Sequence, residues 1–558
     1  MRSFTILAQD PAVLLPGGRA LTTQVWLPAE RLRPGPKGHR VHVIDFDAAA
    51  DRYRAPGTGD PTKDEFIGVE DIDRLVRNPH FHAQNVYAIV MSTLGEFEAA
   101  LGRRVSWAFS PGHQLKVSPH AFAEANAYYS RALEGLAFGY FPSRDQTLVY
   151  TCLSRDVVAH ETTHALIDAL RSGFLRPSSA DQAAFHEGFA DIVALLSVFE
   201  SIELVDVLLA HGAAGGSPLI AASELEPVKL RESVLLTLAE QMGETLTGVR
   251  DRALRASAQL VPSPHYLDQP VYDEPHTRGE ILVAAVMNAF LEVWVKRLKP
   301  LRLTPRQPLN RRVVAEEGAT AAQQLLRIAI RALDYCPPID LSFDDFLSAA
   351  LTADVELYPD DSKYHYRDSL LSNCRAFGIR PSVNRAGGGV WDPPLAQVSY
   401  EGLHFESLQR DPETVFRFLW ENAAALDVDD GPYTRVTSVR PCMRVGTDQF
   451  TIRETVAEYV QTAQVWAREL RQHGIRRPTE MRETQLVTLY GGGTLIFDEF
   501  GRLKYHVGKG LWSDRQSGRL QSLWDHGFYQ GGEAAQSDFA QLHRDRVLQR
   551  RTLARERW

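Results

Sequence analysis

The feature that most constrains this 558-residue chain is the pentapeptide His160-Glu161-Thr162-Thr163-His164. It dictates both a local conformation and a burial. Positions i and i+4 of a helix stand one above the other, so both imidazoles leave one face toward one point. The neighbours Val157, Val158, Ala165, Leu166 and Ile167 are apolar, which predicts a buried helix from about Ser154 to Ser172. Two imidazoles and a carboxylate in such surroundings are costly unless something compensates them together, and a shared metal ion does so. Glu161 lies one step round the helix, placed to reach a water on that ion rather than the ion itself.

A third ligand follows. Twenty-three residues after His164 comes Glu187, in AFHEGFADIVALL, with Asp191 four residues further on. A second helix carrying Glu187 inward completes a His2Glu set, which in hydrolytic zinc sites keeps a fourth position open for water. Asp191, one turn along, can accept the far N–H of a ligand imidazole and fix its tautomer. The alternative pattern HExxHxxGxxH is excluded, because Ile167 stands where it requires glycine.

Apolar residues make up 44% and charged residues 23% of the chain, the balance of a soluble globular protein with more than one domain. The net charge of −9 gives no reason to expect a nucleic-acid partner. The arginine-rich tail from Arg544 to Arg557 reads as a solvated helix end. Four widely separated cysteines (Cys152, Cys336, Cys374, Cys442) predict neither a disulfide framework nor a thiolate zinc site. With no signal-peptide pattern and no membrane-length apolar run, the chain reads as cytoplasmic and free of membrane contact, though leaderless export leaves no mark in a sequence. Nothing in it sets an oligomeric state.

Along the chain, residues 1–65 predict a β-rich extension in which HRVHVID (His39–Asp45) alternates as a strand. Helical spacing appears from Asn85 to Ala100. Strand-like LAFGYF (Leu136–Phe141) and TLVYTC (Thr147–Cys152) precede the HETTH helix. From Ala180 to Ala350 the apolar residues repeat at helical spacing, so strands give way to helices, an α+β body. The Pro- and Gly-bearing stretch PSVNRAGGGVWDPP predicts a linker after residue 380. Residues 395–558 then predict a separate mixed α/β domain with a long helix from about Ile452 to His473 and a hairpin in TLYGGGTLIFDEFGRLKYHV. The glycines from Gly491 read as turn residues, since the P-loop spacing is absent. A chain ending near residue 380 is expected to fold and keep its metal.

These residues resemble the thermolysin family of gluzincin metallopeptidases over about residues 65 to 380. DVVAHETTHALID (Asp156–Asp168) is similar to that family's DVVAHELTHAVTD, and HEGFAD (His186–Asp191) to its NExxSD helix. The resemblance implies a two-lobed zincin, with an N-terminal α/β lobe (66–170) and an all-helical lobe (171–380). It also implies a peptide or protein substrate and Zn2+ held by His160, His164 and Glu187. NAYY resembles the family's edge strand, which implies substrate-backbone roles for Asn126 and the Ala127 carbonyl. ALRASA resembles SLRSMS and implies that Arg255 holds the substrate carbonyl. YDEPHTRG resembles the loop that delivers a proton-donating histidine, which would be His276, oriented by Asp273. Asp168, Asp191 and Asp273 are then the carboxylates behind the working groups.

The sequence departs from that pattern at several points. Leu175 stands where the family has an oxyanion-assisting tyrosine. His186 replaces an asparagine, and Asp273 lies closer to the histidine than the family's aspartate. Asp156 matches a calcium-binding acid, but Val198 stands where a glutamate would be, which puts calcium dependence in doubt. The expected reaction is hydrolysis of peptide bonds by a Glu161-activated water. Two other readings stay open on the residues: a catalytically impaired metal-holding scaffold whose C-terminal domain binds a partner, and a zinc hydrolase of non-peptide amides.

Overall fold

The computed structural model describes residues 1–529 except 16, 58, 110–111, 144–145, 177, 213–216, 237–256, 258, 383–387, 395–396 and 446–450. It is an α+β molecule with several sheets. In the first, Leu115–Phe122 runs parallel to both Val41–Val43 and Gly135–Pro142. Ala127–Ser130 and Leu148–Tyr150 pair antiparallel with successive halves of Gly135–Pro142. The expected strand in His39–Asp45 is therefore an integral member of this sheet and not part of an extension. The strand Arg2–Leu7 is tied in as well: Leu7 N–H donates to Asn85 Oδ1 at 3.0 Å, and Gln9 C=O accepts from Arg155 N–H at 2.9 Å.

Helix Pro79–Leu101 starts earlier than the spacing predicts because Asn78 caps it and Pro79 opens it. The HETTH helix spans Arg155–Leu170, and every residue in it except Ala169 is buried. The helices Ala180–Phe199, Pro275–Leu298, Arg311–Ala332 and Phe343–Leu357 build the helical body. Among the described residues, no helix is long and apolar enough to cross a membrane.

The C-terminal region corrects three expectations. The segment expected as a helix from Ile452 is the strand Thr451–Trp466, central in an antiparallel sheet with Tyr433–Val445, Leu486–Phe497 and Leu503–Lys509. Both of its faces are covered. Val456, with Ile496, Val507 and Cys442, joins the main core. Ala457 and Tyr459 pack instead with Phe418 and Val415 of helix Pro412–Glu421. A strand buried on two faces loses simple alternation, which is why its periodicity misled. Gly491, Gly492 and Gly493 lie inside strand Leu486–Phe497, not at its turn. A Cβ on Gly492 would stand 2.3 Å from Tyr459 C=O, and one on Gly493 2.9 Å from His506 Nε2, so close packing demands the glycines.

This sheet is also not set apart from the body. Glu454 sits against Arg331, Arg444 and Lys504, and Glu458 against Arg171 and Arg440. Thr494 donates to Cys336 C=O at 2.7 Å, and Trp391 Nε1–H to Tyr335 C=O at 2.9 Å. Residues beyond 390 thus complete the core of residues before 380.

Candidate metal centre

Three helices and one strand build the site. His160 and His164 project from the HETTH helix toward Glu187, which comes from helix Ala180–Phe199. Nε2 of His160 lies 3.6 Å and Nε2 of His164 3.9 Å from Glu187 Oε2. The three ligand atoms all fall within 4.8 Å of one another, and all three residues are buried. Across a tetrahedral zinc with bonds of about 2.0–2.2 Å, neighbouring ligand atoms stand roughly 3.3–3.5 Å apart. The donor types suit zinc, and both nitrogens stand somewhat farther from Glu187 Oε2 than that spacing, close enough for a shared ion to draw them in.

The outer nitrogens fix the tautomers. His160 Nδ1 is 2.7 Å from Asp191 Oδ1; a carboxylate accepts, so Nδ1 carries the proton and Nε2 presents its lone pair. His164 Nδ1 is 2.8 Å from His186 Nδ1. Burial pulls the His186 pKa down to about 4, outweighing the nearby Glu187 charge, so His186 stays neutral and can accept from His164. The histidine directly before Glu187 is thus the group that orients His164.

Glu161 is buried beside the ligands, and its Oε2 accepts from the Tyr129 N–H at 3.0 Å. That bond shows which way strand Ala127–Ser130 faces. In an antiparallel strand the backbone groups of alternate residues point to the same side. Tyr129 and Ala127 therefore turn N–H and C=O outward, away from Gly135–Pro142. The Ala127 N–H is taken by Asn126 Oδ1 at 2.9 Å, leaving its carbonyl on the outer edge. Asn126 also lines a cleft of about 560 Å³ with Phe46, Phe122, Tyr128 and Leu133.

His276 arrives from the first turn of helix Pro275–Leu298, its Nε2 3.4 Å from Glu187 Oε2. The acid that orients it is Glu274, not Asp273. Glu274 Oε1 stands 2.8 Å from His276 Nδ1, while its Oε2 caps the helix by accepting from Thr277 N–H at 2.8 Å. Burial would raise the Glu274 carboxyl, but the bonds from His276 and Thr277 hold it well below the usual carboxylate range. The clue was present in the sequence, since an acid directly before Pro at N1 is a capping position. Asp273 instead ends the preceding short turn. Asp168 is displaced from its expected role too: it accepts from the Tyr129 hydroxyl at 2.7 Å and from Arg131 Nε at 2.8 Å, tying the edge strand to the HETTH helix. Leu175 closes the short 3-10 turn after that helix. Arg255 lies outside the described residues.

A pair of glycines makes the meeting of Glu187 and His276 possible. A Cβ on Gly188 would stand 2.9 Å from Gly279 C=O, and one on Gly279 3.0 Å from Ala184 C=O, so the two helices touch backbone to backbone. Gly188→Ala or Gly279→Ala is expected to cost about 1–3 kcal/mol by overpacking and to depress activity by parting His276 from Glu187. Urea unfolding and an activity assay check this. Unchanged stability and activity in both variants would show that the crossing relaxes freely.

Comparison with models of known protein families and with curated proteins returned no match.

Proposed function

We propose that the chain is a zinc-dependent peptidase with the two-lobed architecture of thermolysin-like enzymes, acting on peptide or protein substrates. One observation carries the reading: a His2Glu set close to zinc spacing has beside it two groups, Glu161 and His276, that hydrolysis needs and a structural metal does not. A zinc ion held by His160, His164 and Glu187 would supply Lewis acidity and lower the pKa of a bound water toward ~7. Glu161, buried and held by the Tyr129 N–H, takes the proton of the attacking water and returns it to the leaving nitrogen. His276, oriented by Glu274, donates from Nε2 to the charge developing on the scissile carbonyl oxygen. The outer edge of strand Ala127–Ser130 pairs with an extended substrate backbone, the Ala127 carbonyl accepting from it.

Metal analysis joined to a peptide-library digest tests the proposal. Close to one equivalent of zinc in this centre and cleavage abolished by chelator are expected; metal without cleavage of any peptide would reject peptidase activity. With Leu175 offering no hydroxyl, oxyanion stabilisation falls more heavily on His276. His276→Ala should lower kcat/KM by at least ~10²-fold with zinc content unchanged. Should that variant keep near-wild-type activity while Tyr272→Phe loses it, the donor is Tyr272 from the same loop.

A further inference from the structure

A second cluster lies outside this centre, on the other side of the turn that leads into the HETTH helix. His82 from helix Pro79–Leu101, His120 from strand Leu115–Phe122 and Cys152 from the turn Thr151–Leu153 bring their ligand atoms within 4.8 Å of one another. All three are at most 1% exposed. No short-range spacing announces the trio, because its members lie 38 and 32 residues apart in the chain.

The hydrogen bonds around the two rings decide what can sit between them. His82 Nε2 is 2.7 Å from Val76 C=O, which only accepts, so Nε2 bears the proton and Nδ1 holds the lone pair. His120 Nδ1 is 2.8 Å from Asp45 Oδ1, an acceptor again, so in neutral His120 the lone pair is on Nε2. Yet these inner nitrogens, His82 Nδ1 and His120 Nε2, face each other at 2.8 Å. Two lone pairs at that distance repel, and a cation must lie at the junction. A shared proton would settle the rings alone. The thiol of Cys152 at the same point makes a three-donor set, and both imidazoles carry the outer-nitrogen acceptors by which proteins orient metal-bound histidines.

We propose that His82 Nδ1, His120 Nε2 and Cys152 Sγ form a second metal site, taking one divalent transition-metal ion, with zinc as its natural occupant. Imidazole and thiolate together suit zinc and exclude the hard ions calcium and magnesium, which require oxygen ligands. Charge balance suits a dication once it displaces the proton that burial otherwise holds on Cys152: the resulting thiolate and the Asp45 carboxylate sum to −2, while Asp47 is matched by Arg54 at 3.2 Å. Across tetrahedral zinc the two nitrogens would stand roughly 3.3 Å apart, so loading parts the rings by about half an ångström. Loading displaces the Cys152 proton to solvent and makes two Zn–N bonds and one Zn–S bond with no change of oxidation state. The ion would clamp a helix, a strand and the entry to the HETTH helix, stapling the elements that aim His160 and His164. Burial this complete means that the ion enters as the chain folds.

The experiment is metal analysis of the full chain made in zinc-sufficient medium, repeated with Co2+ as the sole transition metal. About two zinc ions per chain are expected, one for each cluster. His164→Ala should keep one, and so should Cys152→Ser. The hydrolytic set contains no sulfur, so the cobalt protein should show a sulfur-to-cobalt charge-transfer band in the near ultraviolet. That band should persist in His164→Ala and vanish in Cys152→Ser. Should Cys152→Ser fail to fold, the band in wild type and in His164→Ala decides alone. One zinc per chain and no such band in either protein would overturn the site and leave a proton-sharing histidine pair. Loss of the band in His164→Ala would overturn it too. Failure here leaves the peptidase reading untouched, because cleavage and the His164-dependent zinc are measured separately.

Discussion

A Glu161→Gln protein is expected to retain its metal and lose turnover by ~10²–10⁴-fold, the usual worth of a positioned general base. Glutamine keeps the shape of the side chain and can still accept the Tyr129 N–H at 3.0 Å, so the edge strand should stay in place. What it cannot do is take a proton. His164→Ala removes one of three ligand atoms and should empty the hydrolytic centre of zinc, with activity lost in consequence. Asp191→Asn occupies the middle ground. It leaves an acceptor opposite His160 Nδ1 but without charge, and metal affinity should fall by ~10–100-fold. Equal zinc loss in Glu161→Gln and His164→Ala would mean that Glu161 is a ligand, and the proposed division of labour would collapse.

The second large effect is on stability, at the seam between the helical body and the C-terminal sheet. Glu454→Ala should destabilise the protein by about 3–5 kcal/mol, since it leaves Arg444 buried without its counter-charge and Arg331 with Asp334 alone. Burial alone would raise the Glu454 carboxyl, but Arg331, Arg444 and Lys504 together bring it down to about 2 from 4.5. A lowered folded-state pKa means that the contribution is fully present above pH 4.5 and is lost as the pH falls toward 2. Over that window it amounts to about 3 kcal/mol. Urea unfolding of wild type and Glu454→Ala between pH 7 and 3 checks both magnitude and sign: the difference between them should shrink on acidification. A difference independent of pH would count against the ion cluster. On the same grounds, a chain cut near residue 380 should be insoluble or unfolded, because Arg171 and Arg331 would lose Glu458 and Glu454.

Much of the metal centre was legible because helix geometry is local. The spacing of His160 and His164 aims both rings at one point whatever the remaining residues do, and the same holds for Glu187 with Asp191 one turn on. The strand at Ala127–Ser130 was expected only from the resemblance of NAYY, and it took the bond from Tyr129 N–H to Glu161 to show which way it faces. The acid behind His276 was misread because both Asp273 and Glu274 lie within reach in sequence. Helix capping chose between them, drawing Glu274 to Thr277 N–H and so to His276.

Where charge met burial, sequence was silent. Glu454 and Glu458 share a face whether the segment is a helix or a strand, since i and i+4 coincide in both, and so they could not betray the strand. What decided it were the neighbouring strands Tyr433–Val445 and Leu486–Phe497 and a core on each face; the arginines that meet the two glutamates, Arg331 and Arg171, lie more than a hundred residues away in the chain. The His82, His120 and Cys152 cluster is of the same kind, three solitary residues with no shared period. By itself, then, the sequence determined which side chains share a face of a single helix, where spacing is geometry. Only the tertiary structure decided which distant charges meet and which strand lies between two cores, because burial is a property of the whole chain and has no period.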